Sequence, residues 1–473
     1  MLATVRKSII HLGSWIIFLL KKIICWKGYK TMQNELFEKA PIPKAYMKMA
    51  LPVVMGMVVT LIYNLVDTYF IALTGNTDLI AGVSLCAPLF TLLLAIGDIF
   101  GIGGSSVVSR VLGSHDREGA RSKSTFCIYT SVITGIIFTI LMLVFKKQVV
   151  MLLGATDNTY DYAQQYYTWL ILASTFVIFS LVPSNLLRAE GKAMESMIGS
   201  VIGTVVNIIL DPIFIFGLGL GAAGAAMATA IGYVVTSVFF VIIIVQKSDV
   251  LSIDPKGLSF DAQTFSGVLA IGLPSSITNL MQTVGITLTN RYLQPYGDDN
   301  IAIMGIVLKI VNIAVLVIVG LAFGGQPLIG YCYGAKLKDR LKKIVGFGMA
   351  ITGGTGLVAL FILSLFSKVI LGRFLTDPDM IDMGARMLIF QLLGMPLMGI
   401  CLIVICTFQA TGKAIGAFIL SSCRQGVVFL PALIILSVTA GLNGVIAAQV
   451  TADIITTVVA FWLFRVFLWR EIV

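Results

Sequence analysis

From about Met47 to Trp469 the chain is a succession of apolar runs, each long enough to cross a hydrocarbon core as a helix, with short polar turns between them. In lipid every backbone N–H and C=O must find a partner inside the protein, and continuous apolar runs of this length meet that demand only as α-helices. The pattern predicts twelve spans, at residues 47–73, 80–110, 122–145, 162–186, 195–218, 222–246, 264–293, 301–334, 344–366, 381–410, 415–439 and 443–468. The expected fold class is all-α integral membrane. A charged content of 12% beside 58% hydrophobic residues agrees, since soluble domains carry roughly a quarter charged residues. The connections leave no room for a soluble catalytic domain, so no enzyme is expected. ATP is not the expected energy source either: where a phosphate loop needs its first glycine, Leu186 precedes Gly191 and Lys192, and Thr407 precedes Gly412 and Lys413.

A net charge of +10 raises the question of nucleic acid, and its placement points to the membrane instead. With twelve spans, one side of the bilayer receives both termini and the loops after spans 2, 4, 6, 8 and 10. That side carries 25 Lys and Arg, and the other carries five: Lys146, Lys147, Lys368, Arg373 and Arg386. By the positive-inside rule both termini are cytoplasmic, with membrane lipids as neighbours and no nucleic acid. Arg291, Lys309 and Arg424 fall inside spans or at their edges.

Self-similarity divides the apolar array. "RAEGKA" from Arg188 returns as "QATGKA" from Gln409, and "GSSVVSRVLGSHDREGARSK" from Gly104 is answered by "GQPLIGYCYGAKLKDRLKK" from Gly325, both displaced by 221 residues. "ALPVV" at Leu51 and Pro52 matches "GLPSS" at Leu273 and Pro274, and "GAAGAAMATA" from Gly221 matches "GLNGVIAAQVTA" from Gly441. The layout predicted is two six-helix lobes, 47–246 and 264–473, joined by a cytoplasmic linker at 247–263. Six spans per copy give both copies the same orientation, hence a pseudo-two-fold along the membrane normal. Residues 1–46 read as a cytoplasmic extension; Lys21 and Lys22 interrupt its apolar start and Met32 opens a second plausible start, which favours an over-extended gene start over a signal peptide or a thirteenth span. Seven cysteines without a CxxC, beside two histidines, read as packing residues. A lone GxGxxG at Gly219, Gly221 and Gly224 follows an apolar span, not a strand, and reads as close packing at a helical hairpin.

The functional signal lies in polar groups at membrane depth. A carboxylate at mid-bilayer costs about 2.5–3.5 kcal/mol on insertion scales. Span 5 nonetheless carries Asn207 and Asp211 on one face, and Pro212 deprives the preceding turn of a backbone donor. Span 1 carries Asn64 and Asp67, three apart, and span 6 carries Thr229. Carboxylate, amide and carbonyl oxygens together suit a proton or a small monovalent cation such as Na+; without histidine or cysteine they do not suit a transition metal. Intramembrane acids also serve as hydrogen-bonded glue between helices. The second copy, however, keeps a proline in "VFLPALIIL" and loses both acids, with Thr289 and Asn290 opposite Asp67, so an ion-coupling half and a partner half are inferred. Asp98 on span 2 reads equally as functional or as a structural pair. Lys309 and Arg424 are open between lining a polar cavity, pairing with an acid such as Asp453, and snorkelling. Met281, Met395 and Met398, near the middle of spans 7 and 10, are candidates for an adaptable substrate cavity.

These segments carry a resemblance. "LPVVMGMVVTLIYNLVDTYFI", "GGSSVVSRVLGSHD", "RAEGKAMESMIGSVIGTVVNIILDPIFIFGLGLGAAGAAMAT" and the repeated "QATGK" resemble the multidrug and toxic compound extrusion (MATE) family, nearer its bacterial MepA-like and DinF-like branches, from about Ala40 to the C-terminus. The resemblance implies a monomeric antiporter that expels small lipophilic or cationic compounds through a cleft between two lobes. No cofactor is implied beyond the transported Na+ or H+. Its cation site carries over to Asp67, Asn207, Asp211 and Thr229, with a span 4 tyrosine near Tyr166. The chain departs from members that use C-lobe acids, since spans 7 and 10 carry none except Asp382 at the outer edge. A flippase for a lipid-linked or other anionic precursor is the alternative, and Arg291, Lys309 and Arg424 keep it open; a passive channel fits poorly, because acids in one half make no continuous polar lining.

Overall fold

The computed structural model describes residues 35–472, so the readings on residues 1–34 lie outside the described residues. Span 1 is the helix Ile42–Ala72, span 2 Thr77–Gly113, span 3 Arg117–Val144, span 5 Ala193–Gly217, span 6 Gly221–Lys247, span 8 Asp298–Gly334, span 9 Lys338–Leu365 and span 10 Pro378–Ala410. Span 4 is a pair, Tyr160–Leu172 and Ser174–Ala189, bent by 47°. Spans 11 and 12 share Ala414–Leu468 and separate at Gly441, whose φ of 57° and ψ of −133° break the helix. Span 7 is Ala262–Leu293, and its apolar run is interrupted because one face carries Ser275, Thr278, Gln282, Thr289 and Asn290. Among the described residues there is no strand, and twelve crossings result.

The duplication is written into the backbone. Left-handed φ angles recur in matched pairs: Gly75 with Gly297, His115 with Lys336, Gly191 with Gly412, and Gly221 with Gly441. The repeated Gly-Lys has a structural task. Gly191 and Gly412 turn the chain out of spans 4 and 10, and the following Lys192 and Lys413 donate Nζ to the carbonyls of Lys247 and Phe467. Each lysine therefore neutralises the negative end of its half's last helix. Lys192 also pairs with buried Glu190 at 2.7 Å, and Glu190 accepts from Ser248 Oγ and Asp249 N, both at 2.8 Å, which fixes the start of the linker. The linker closes on Asp261, which caps span 7 by accepting from the Gln263 and Thr264 amides, bonds that hold its carboxyl below the usual carboxylate range.

The two halves touch through self-complementary contacts. A Cβ on Gly113 would lie 2.1 Å from the Tyr331 carbonyl oxygen, and one on Gly334 would lie 2.0 Å from that of Arg110. The two contacts are images of each other, as a two-fold requires. Gly103 sits against Val268 of span 7 as Gly324 sits against Ala50 of span 1, with backbone 2.2 and 2.3 Å from where each Cβ would be. Across the same seam Tyr46 donates to the Leu321 carbonyl at 3.0 Å, Ser276 to that of Ala95 at 2.5 Å, and Arg110 to that of Ala410 at 3.0 Å. Glu38, held by Tyr331 at 2.7 Å, and Glu471, held by Tyr333 at 2.8 Å, place both ends of the described chain at this face.

Such closure tolerates no side chain at its centre. Gly334→Ala adds a methyl group into a backbone contact, an overpacking that costs about 1–3 kcal/mol against the closed face. Spin labels at Glu118 and Lys342, exposed near the starts of spans 3 and 9, should report a lengthened distance distribution in the variant. A distribution identical to wild type would remove this contact as the seam.

Candidate functional site

Spans 5 and 6 meet with almost nothing between them. A Cβ on Gly232 would stand 2.8 Å from the Gly203 carbonyl and 3.2 Å from the Asn207 Cβ. That approach sets Asn207 against Thr229, and Asn207 Nδ2 donates to Thr229 Oγ1 at 3.0 Å. Thr229 gives its own proton to the Ala225 carbonyl at 3.1 Å, so the weak 3.4 Å contact with Tyr63 has the tyrosine as donor. Tyr63 ties span 1 to this pair, and Asp67 lies one helical turn further along the same face. Asp67 and Asp211 are within electrostatic range of each other, and both act on Tyr166 of span 4. Asp211 is fully buried and Asn207 and Thr229 are 3% exposed.

The cluster is short of donors. Asp67 Oδ1, Asn207 Oδ1 and both carboxylate oxygens of Asp211 are buried without a hydrogen-bond partner among the described residues. Buried polar groups are almost always satisfied, and each exception asks for a reason. Here the orphans are all acceptors, and they converge from spans 1 and 5. Directly after Asp211 the helix widens into a π turn, Ile213–Gly217, the kind of irregularity that gathers at functional sites.

Of the residues expected in this site, Asp67, Asn207, Asp211, Thr229 and Tyr166 come together. Asn64 does not: it is exposed, and the residue of span 1 that reaches Thr229 is its neighbour Tyr63. Tyr63 precedes Asp67 by four residues and so shares its face more closely than Asn64, three before it. Tyr233, four residues after Thr229, joins Tyr63 and Tyr166 within electrostatic range. Neither tyrosine was singled out by the sequence, although the four-residue spacing to a buried polar residue marks both.

Beyond the seam the halves enclose a cavity of about 870 Å³. Met57, Asp98, Ile102, Asn185 and Arg188 line it from the first half, and all its other walls belong to the second. Lys309 and Arg424 both face it, as does Met398; Met281 packs against Gly426 and buried Met395 against Gly356, so neither is a lining residue. Asp98 lies within electrostatic range of Arg188, whose Nη2 donates to Asn185 at 2.5 Å. Arg424 pairs with Asp453 of span 12, Nε to Oδ1 at 2.8 Å, and Gln449 donates to the same oxygen at 3.3 Å. Two of the three options open for Arg424 thus hold together: it lines the cavity and pairs with an acid.

The sequence profile of the MatE family matches residues 52–213 and again 274–435, two copies within one chain. The multidrug export protein MepA of Staphylococcus aureus (strain MSSA476) is 33% identical over 424 residues, spanning 90% of this chain and 94% of that protein. Among solved structures, a crystal structure of MATE in complex with MaL6 superposes with a TM-score of 0.88 at 26% identity, covering 93% of this chain and 99% of the other. The outward-facing conformation of a multidrug resistance MATE family transporter of the MOP superfamily superposes with a TM-score of 0.87, at 26% identity and with the same coverage.

The Arg424–Asp453 pair supplies a test of the second-half wall. Asp453 is 5% exposed, so Asp453→Ala leaves a guanidinium without its buried partner, at a cost of about 3–5 kcal/mol. Removing both charges with Asp453→Ala and Arg424→Met should recover most of that loss in thermal unfolding. Equal destabilisation of the single and double variants would show that the pair is not what the wall depends on.

Proposed function

This chain belongs to the MatE family, and from that premise we propose that it is a multidrug exporter that passes lipophilic compounds through the central cavity in exchange for Na+ or H+ bound at Asp67, Asn207, Asp211 and Thr229. The observation that carries this reading is the set of four buried acceptor oxygens without donors on Asp67, Asn207 and Asp211. A proton or a small hard cation is what such a set lacks. Thr229 orients the Asn207 amide by taking its nitrogen, which leaves the amide oxygen for the ion. Tyr63 and Tyr166 complete the wall around the two carboxylates.

Span 1 links the ion to the cavity. Its first turns pack on span 8 through Tyr46, Ala50 and Val54, Met57 lines the cavity, and Tyr63 and Asp67 sit in the cation cluster. Ion entry at Asp67 therefore acts on a helix that also touches substrate space and the seam, the arrangement that alternating access between two rigid repeats requires. The surplus of basic residues on the face carrying the chain ends supports placing that face in the cytoplasm, so the seam closes the cytoplasmic side and the cavity is approached from outside. Likeness to an outward-facing relative supports the same assignment.

In proteoliposomes with Na+ and pH gradients imposed separately, one gradient should drive ethidium transport, and Asp211→Asn should reduce that transport to the leak rate while substrate binding persists. Asp67→Asn should act in the same direction. Full gradient-driven transport by the Asp211 variant would remove the carboxylate from the coupling site.

A further inference from the structure

We propose that the second-half wall of the cavity is a seat for an acidic group, a carboxylate, sulfonate or phosphate, on an amphipathic substrate, with Lys309 as its counter-charge; the inference rests on the exporter reading and names the chemistry of what is carried.

The two halves use one scaffold with opposite polarity. At displacements of 222 and 220 residues, Asp67 and Thr229 correspond to Thr289 and Gln449, and both of these line the cavity. Where the first half gathers carboxylates, the second gathers amides and cations: Asn290, Lys309, Asn312, Gln391 and Arg424 face the same space. Among the described residues no carboxylate of the second half lines it, and Asp453 is buried against Arg424. The acid of the opposite wall, Asp98, stands beside Arg188. Arg424 spends Nε on Asp453, which leaves the two Nη groups of its fork. Lys309 is exposed to the cavity, and its Nζ has neither ion pair nor hydrogen bond among the described residues.

A lysine within a span is costly unless it faces water or a counter-charge, and the second-half wall around it provides amides and a second cation but no acid. Apolar residues of the same wall, among them Leu308, Val315, Met398, Leu402 and Phe429, offer a surface for the rest of the molecule. An acidic head on an apolar body matches both parts, whereas a lipophilic cation would meet Lys309 as a like charge.

Equilibrium dialysis of the purified full chain in uncharged detergent tests this with two dyes that share one hydrophobe, pyrenebutyrate and pyrenebutyl-trimethylammonium. Wild type should bind the carboxylate about tenfold tighter than the ammonium, the scale of one charged hydrogen bond. Lys309→Ala should erase that preference, Lys309→Glu should invert it, and Lys309→Arg should retain it. Displacement of pyrenebutyrate by phosphatidylglycerol but not by phosphatidylcholine would assign the seat to a lipid headgroup, and resistance to both would assign it to free amphiphiles; either supports an acid seat. Tighter binding of the ammonium by wild type, or an unchanged preference in a Lys309→Glu protein that still elutes as a monodisperse species, overturns it. Gradient-driven transport of both dyes by the same wild-type preparation in proteoliposomes separates the two readings: failure of both dyes to move under any gradient sinks the exporter, whereas transport beside the wrong charge preference sinks the acid seat alone.

Discussion

Four oxygen atoms without donors, gathered from spans 1 and 5 inside a helix bundle, set the condition to which the first half is built. Each would cost kilocalories if left alone in a medium that cannot solvate it. The surrounding structure does nothing to relieve them. Thr229 takes the Asn207 nitrogen rather than offering its own proton to a carboxylate, and Tyr63 turns its hydroxyl to Thr229. A site assembled for helix-to-helix adhesion would pair its acids with donors, as the second half pairs Asp453 with Arg424 and Gln449. The contrast between the two halves separates a buried acid that holds helices together from one kept short of partners.

Duplication explains how such a contrast arises within one chain. The capping lysines Lys192 and Lys413, the left-handed turns at matched positions and the reciprocal Gly113 and Gly334 contacts show the scaffold conserved between copies. Those features are constrained by backbone geometry and by the two-fold seam, where a change in one copy has no compensating partner in the other. The side chains that face inward carry no such constraint. They have diverged to acids in one half and to amides and cations in the other.

The same division decides what was legible in the sequence. Spans and repeats are local or periodic signals, and they were readable because hydropathy and self-similarity survive without knowledge of packing. Boundaries were less so: span 1 begins at Ile42 rather than near 47, because Lys44 and Lys48 break the apolar run while Ala45, Tyr46 and Met49 are buried against the other half. Polar residues in apolar runs announced Asp67, Asn207, Asp211 and Thr229. Tyr63 was silent because a tyrosine inside an apolar helix has many reasons to be there. The methionines divide for a related reason, since Met281 in packing and Met398 on the cavity wall look alike until their neighbours are known.

Exchange requires that ion binding favour one arrangement of the halves over the other, because a ligand with equal affinity for both shifts nothing. The cluster of Asp67, Asn207, Asp211 and Thr229, the proposed cation site, lies within the first half and does not cross the seam. Under the proposed exchange its influence would pass through a helix that touches both halves, and span 1 is such a helix, since it carries Asp67 beyond its middle and packs on span 8 through Tyr46, Ala50 and Val54 at its start. Pro52, between Ala50 and Val54, interrupts the backbone ladder within the seam-packed stretch, so a bend there would move Val54 and the part bearing Asp67 relative to Tyr46 and Ala50. Met57, on the cavity wall between Val54 and Tyr63, would be carried along by such a bend, so the proposed exchange would couple the volume open to substrate to the charge on Asp67 without a contact between ion and substrate.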